Sequence, residues 1–98
     1  MVTEIAQFRA APGKAEELAK GLAAAMDVIR GAQGNQGITL RRCIEDPTLF
    51  VYEITWATLE DHTVTFRGGP LFAQYRSHIS DLFQEPVVVR HYETLTSQ

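Results

Sequence analysis

Cysteine is nearly absent: Cys43 is the only one among 98 residues. No disulfide can close within the chain, and the composition fits a reducing compartment. Long apolar runs are missing too. No stretch approaches the roughly 20 residues that a bilayer-crossing helix requires. There is no surplus of positive charge, because 9 Lys and Arg stand against 12 Asp and Glu for a formal net charge of −3. That balance leaves no electrostatic footprint for nucleic acid or for an anionic membrane surface. The opening residues, Met1-Val2-Thr3-Glu4, lack the basic and apolar segments of a secretory leader. A cytoplasmic protein is the expectation.

The familiar cofactor and nucleophile motifs are also missing. There is no Walker A sequence, no GxGxxG and no GxSxG; Gly68-Gly69-Pro70 reads as a helix break rather than a phosphate cradle. His62, His78 and His91 are not spaced i, i+4 and have no CxxC beside them. No metal site and no cofactor are therefore expected. What remains is 45% hydrophobic and 21% charged, the balance of an ordinary globular domain. The whole chain, residues 1–98, is read as one domain. A domain this small has a high surface-to-volume ratio, which oligomerisation commonly relieves.

Periodicity supplies the elements. Residues 2–10 alternate, with Val2, Glu4, Ala6 and Phe8 on one face and Thr3, Ile5, Gln7 and Arg9 on the other. Polar residues fall on both faces, so this strand's inward side stays open. After Pro12-Gly13, the residues Leu18, Leu22, Ala25, Met26 and Ile29 recur at helical spacing, with Glu16 placed to pair with Lys20. Residues 38–44 and 49–56 are two strands joined through Glu45-Asp46-Pro47-Thr48. Thr58 is positioned to cap a short helix containing Asp61, with Leu59, His62, Thr63 and Phe66 facing one way. A second helix carries Leu71, Phe72, Tyr75, Ile79, Leu82 and Phe83 up to Pro86, and Val87–Glu93 forms a last strand.

The order β-α-β-β-α-β predicts an α+β, ferredoxin-like sandwich: a four-stranded antiparallel sheet with both helices on one face. The strands carry apolar residues on both sides, Phe50, Tyr52, Ile54 and Trp56 against Val51, and Val87 and Val89 against Val88. The helix-free face then needs a cover, and a homodimer follows.

Several short segments in this order carry a family resemblance. They are Pro12-Gly13-Lys14 after the first strand, Asp46-Pro47 before an aromatic strand ending in Trp56, and Leu59-Glu60-Asp61-His62. Pro70-Leu71-Phe72 and the closing Pro86…His91-Tyr92-Glu93 complete the set. Over essentially its full length the chain resembles the antibiotic biosynthesis monooxygenase (ABM) family of dimeric α+β barrels. The family includes cofactor-independent quinol oxygenases, haem-degrading enzymes, isomerase-like members and many small proteins without an assigned role, so the fold it implies does not fix an activity. Haem degradation is disfavoured. The positions corresponding to that branch's Asn, Trp and haem-ligating His are Ala6, Thr65 or Phe66, and Arg76. These lack its amide, its ring wall and its axial ligand. His78, two residues on, projects from another side of the helix.

Within this frame His62 is the candidate base, on a helix face shared with Leu59 and Phe66, where an imidazole can take a phenolic or enolic proton. The competing reading is a buried histidine satisfied by a carboxylate or backbone group. Tyr75 and Arg76 are candidates to orient an oxyanion, with Arg67 nearby as another cation. Trp56, Phe66, Phe72, Tyr52 and Phe83 are candidates to line a flat apolar substrate pocket; each also reads as core. His91 faces either the cavity or a dimer partner. Cys43 is read as a small packing residue. The expected activity is cofactor-independent monooxygenation of a small aromatic, quinol or polyketide-like substrate. The alternative is a non-catalytic dimeric barrel that binds a small apolar ligand.

Overall fold

A computed structural model describes all 98 residues. The chain runs through strand β1 (Val2–Ala10), helix α1 (Ala15–Arg30), strand β2 (Asn35–Arg42) and strand β3 (Leu49–Trp56). It continues through a π-helical segment (Asp61–Phe66), helix α2 (Pro70–Ser77) and strand β4 (Phe83–Tyr92). The sheet has the order β2-β3-β1-β4 and every pairing is antiparallel. This is the ferredoxin-like arrangement expected from the element order. No helix is long and apolar enough to cross a membrane.

The side left open for β1 is settled by what it meets. Glu4, Ala6, Phe8 and Ala10 are buried. In register with them lie Ile54, Tyr52 and Phe50 of β3 and His91 and Val89 of β4. Leu18, Leu22, Ala25 and Ile29 of α1 close over that face. A carboxylate is thereby carried inward by the same alternation that buries Phe8. On the other face of the sheet Ile5, Leu49, Val51 and Val88 are half-buried among polar neighbours, with no helix over them.

Three local expectations are revised. Glu16 pairs across to Arg42 of β2 at 2.9 Å rather than with Lys20, because the end of β2 brings a guanidinium within reach. Helix α2 stops at Ser77 instead of continuing to Pro86. Asp81 takes a left-handed backbone (φ 65°), and the chain turns there so that Phe83 can begin β4 opposite Ala10. Pro86 consequently lies inside a strand. The register with β1 shifts between Gln7 and Arg9, so the proline's missing N–H falls at an irregularity on an edge strand, where it breaks no ladder bond.

Gly21, a weak residue mid-helix by propensity alone, has a packing reason. A Cβ there would stand 2.3 Å from the His78 carbonyl oxygen. Only glycine lets α1 approach the end of α2 so closely.

Candidate active site

The site is built around the segment between β3 and α2. Thr58 and Asp61 form a reciprocal cap: the Thr58 N–H donates to Asp61 Oδ2 at 3.1 Å and the Asp61 N–H donates to Thr58 Oγ1 at 3.2 Å. Asp61 is buried and also accepts from Gln33 Nε2 at 3.1 Å. Its carboxylate rests on Gly34, which has φ +80° and where a Cβ would come within 2.0 Å of Asp61 Oδ2. With its start pinned, the chain winds as a π-helical turn, a geometry frequent at functional sites. His62 and Phe66 are buried while Leu59, Val64 and Thr65 face outward. Leu59 therefore does not share the inward face predicted for it.

His62 is held on three sides. Its ring stacks on Trp56 with centroids 5.2 Å apart and planes 15° apart. Its Nδ1 makes a 2.7 Å hydrogen bond with His91 Nε2, so His91 faces this cluster. Its Nε2 lies 3.4 Å from Glu4 Oε1. That same oxygen accepts the Trp56 Nε1–H at 2.9 Å. Glu4, Trp56 and His62 are each at most 4% exposed. Half-buried His91 continues the chain of polar contacts toward the surface.

Burial sets the protonation of the cluster. Desolvation pushes the Glu4 carboxyl above its ordinary range, against the pull of the Trp56 hydrogen bond and the positive charge of Arg67. Desolvation holds His62 down to about 4, with Arg67 and His91 adding to the effect. His91 is lowered by the same burial and by Arg67. Both imidazoles are neutral at pH 7. Each thus has one N–H and one lone pair, the form that passes a proton along a chain.

Beside the cluster, between sheet and helices, lies a cavity of about 270 Å³. Its walls are apolar where Ala6, Ile29, Ile54, Val87 and Val89 meet the rings of Phe66, Phe72, Tyr52 and Tyr75. Glu4 and His62 stand in it as polar groups, and Arg67, Arg76 and Glu85 are its other charged wall residues. Arg76 reaches Glu85 at 3.5 Å. Arg67 has no acidic partner within salt-bridge distance. No group of three His, Cys, Asp or Glu converges as a metal site would require.

Six of the eight residues singled out in the sequence line this cavity: His62, Tyr75, Arg76, Tyr52, Phe66 and Phe72. Two do not. Trp56 is fully buried behind His62 and supports it from below. Phe83 packs edge-on against Phe8 at 6.0 Å, with the Arg76 guanidinium 5.0 Å above its ring. The Tyr52 hydroxyl donates to the Leu22 carbonyl, so only its ring faces the cavity. The Tyr75 hydroxyl has no partner in the chain, and burial raises its ionisation well above the ordinary phenol range. It stays a neutral donor.

Glu4 was not singled out from sequence, although it shares a strand face with Ala6 and Phe8. A carboxylate in an inward-facing series is the signal, since such groups are seldom buried without a partner or a task.

The profile of the antibiotic biosynthesis monooxygenase family matches residues 1–77. A candidate antibiotic biosynthesis monooxygenase from Bordetella bronchiseptica is 30% identical, with a TM-score of 0.91 over 97% of both chains. SnoaB of Streptomyces nogalater, a cofactor-independent oxygenase, shares the fold at a TM-score of 0.81 with 16% identity, over 98% of this chain and 94% of that one. YczJ of Bacillus subtilis, an uncharacterized protein, is 27% identical over 95% of this chain and 98% of its own. The fold, the cavity under the π-helical segment and these likenesses agree: the chain belongs to the antibiotic biosynthesis monooxygenase family.

Proposed function

We propose that this protein is a cytoplasmic, cofactor-independent monooxygenase acting on a small hydroxylated aromatic ring, a naphthol or quinol, within the cavity. The observation that carries this reading is the pairing of aromatic walls with a Glu4–His62–His91 cluster at one end, in which His62 is hydrogen-bonded to His91 and lies 3.4 Å from the buried Glu4 carboxylate. The volume of about 270 Å³ lies just below the range of roughly 300–1,000 Å³ common for ligand pockets. It suits one or two fused rings better than an extended polyketide.

In such chemistry the substrate supplies the electrons. Once its hydroxyl is deprotonated, the electron-rich ring reduces O₂; one oxygen atom enters the ring and the other leaves as water. The protein has three tasks. It removes the hydroxyl proton through the cluster containing His62. It steadies the resulting oxyanion with the Tyr75 O–H and a guanidinium, Arg67 or Arg76. It also keeps the reactive ring among dry apolar walls.

Oxygen consumption by metal-free, flavin-free protein with a panel of naphthols and naphthohydroquinones tests the reading. Uptake above autoxidation that collapses in His62→Ala supports it. No uptake with any member, with ring binding unchanged in the mutant, leaves a ligand-binding barrel instead.

The helix-free face, with Ile5, Leu49, Val51 and Val88 half-buried, is proposed to pack against the same face of a second copy. The cavity lies on the opposite side of the sheet, so this pairing leaves it open. A monomer by light scattering at micromolar concentration contradicts the dimer.

A further inference from the structure

Both nitrogens of His62 already have a protein neighbour. Nδ1 is hydrogen-bonded to His91 at 2.7 Å, and Nε2 stands 3.4 Å from Glu4 Oε1, a close contact without a hydrogen bond. With Nδ1 held by His91, only Nε2 could meet a ligand, and Glu4 Oε1 already stands beside it. The carboxylate differs. Glu4 Oε1 is occupied by the Trp56 N–H and faced by His62, whereas Oε2 makes no hydrogen bond within the chain. Glu4 is also a wall residue of the cavity.

We infer that Glu4, through Oε2, is the group that takes the proton from a hydroxyl-bearing aromatic ligand, and that His62 positions Glu4 rather than acting as the base itself. This rests on the reading of the cavity as the site for such a ring. The step is a simple exchange: the ligand O–H bond breaks, an O–H bond forms on Oε2, and the negative charge moves from the carboxylate to the ligand oxygen.

The surroundings suit that exchange. Trp56 fixes the carboxylate from β3, His62 from the π-helical segment, and His91 backs His62 from β4. Arg67 supplies positive charge without an acidic partner, and Tyr75 of α2 presents an unpartnered hydroxyl. A charge transferred to the ligand thus meets a cation and a donor, while the protonated carboxyl meets the desolvated wall that favours its neutral form.

The test uses 2-naphthol, whose hydroxyl becomes strongly acidic on excitation and whose anion emits at longer wavelength than the neutral ring. Bound to the wild-type protein and excited beyond tryptophan absorption, it is expected to show the naphtholate band. Glu4→Gln keeps an oxygen acceptor for Trp56 but cannot take the proton, and its bound naphthol should emit as the neutral form. His62→Phe, which retains a ring over Trp56, should keep the naphtholate band. Glu4→Asp, a second variant that retains the acid on a shorter arm, should show a weakened one.

Persistence of the band in Glu4→Gln overturns the assignment. So does a loss in His62→Phe equal to that in Glu4→Gln, which would return the proton to the imidazole. Absence of the band in wild type overturns it as well. The expected fluorescence pattern without any oxygen uptake would leave the proton acceptor standing and remove the oxygenase reading.

Discussion

One face of the sheet supports two unlike interiors. Under α1 it meets Leu18, Leu22 and Ala25, each fully buried, packed with Phe8 and Phe50. Under the π-helical segment and α2 the same face meets Glu4, His62 and a ring-lined cavity. The first region is packed for stability: it holds no charge, and every methylene there adds to the free energy of folding. The second buries a carboxylate and an imidazole and leaves space unfilled, both of which cost stability. Proteins accept such costs where function requires them. The contrast separates what holds the fold from what the fold is built to hold.

Substitutions can break that contrast from either end. The largest effect is expected on activity. Glu4→Gln should lower oxygen uptake by about 10²-fold or more, the scale of a lost general base. Its melting temperature should hold or rise, because a neutral amide replaces a buried charge. Retained uptake together with lost stability would make Glu4 a structural residue.

At the apolar end the signs should reverse. Phe8→Ala removes a fully buried ring that packs edge-on against Tyr52 and Phe83. It should cost about 3–5 kcal/mol in urea denaturation. Per folded molecule, ring binding in the cavity should be largely kept.

A smaller loss is expected at His91, the half-buried outer member of the cluster. His91→Ala should reduce kcat by about tenfold with KM unchanged, less than a direct proton acceptor would, because water can partly replace it. Added imidazole should restore much of the rate. No rescue would assign His91 a packing role.

The last expected effect is a pH dependence of stability. His62 is held at about 4 in the fold against an ordinary 6.5, so between those values the unfolded chain binds more protons than the folded one. Its contribution is complete above about 6.5 and is lost as pH falls toward 4, which thermal unfolding across that window should show. His62→Phe should flatten the slope. Glu4 acts in the opposite sense: its raised pKa means stability lost as pH rises through that value. A melting-temperature slope between pH 6.5 and 4 that is the same in wild type and His62→Phe would argue against a buried neutral His62.

The elements were largely readable because they rest on local periodicity. Strand β3 coincides with its predicted span of 49–56, and the Thr58–Asp61 cap was visible in residue type and spacing. Helix α2 was overextended because Ile79, Leu82 and Phe83 satisfy helical spacing as well as they satisfy a turn and a strand start. Only the pairing of Phe83 with Ala10 decides between the two. For the site, aromatic and histidine residues on one helical face pointed to the cavity. The carboxylate that meets them came from β1, whose inward side depended on pairing partners more than 40 residues away, such as Trp56 across from Val2. Trp56 and Phe83 were assigned to the pocket because size and apolarity mark a core wall and a ligand wall alike.

The most direct measurement is a crystal structure of the protein with 2-naphthol bound. The ring should lie against Phe66 and Phe72, with its hydroxyl within hydrogen-bond distance of Glu4 Oε2 and Arg67 or the Tyr75 hydroxyl on its other side. A ring seated on the helix-free face of the sheet, or in the cavity with its hydroxyl turned away from Glu4, would contradict the account.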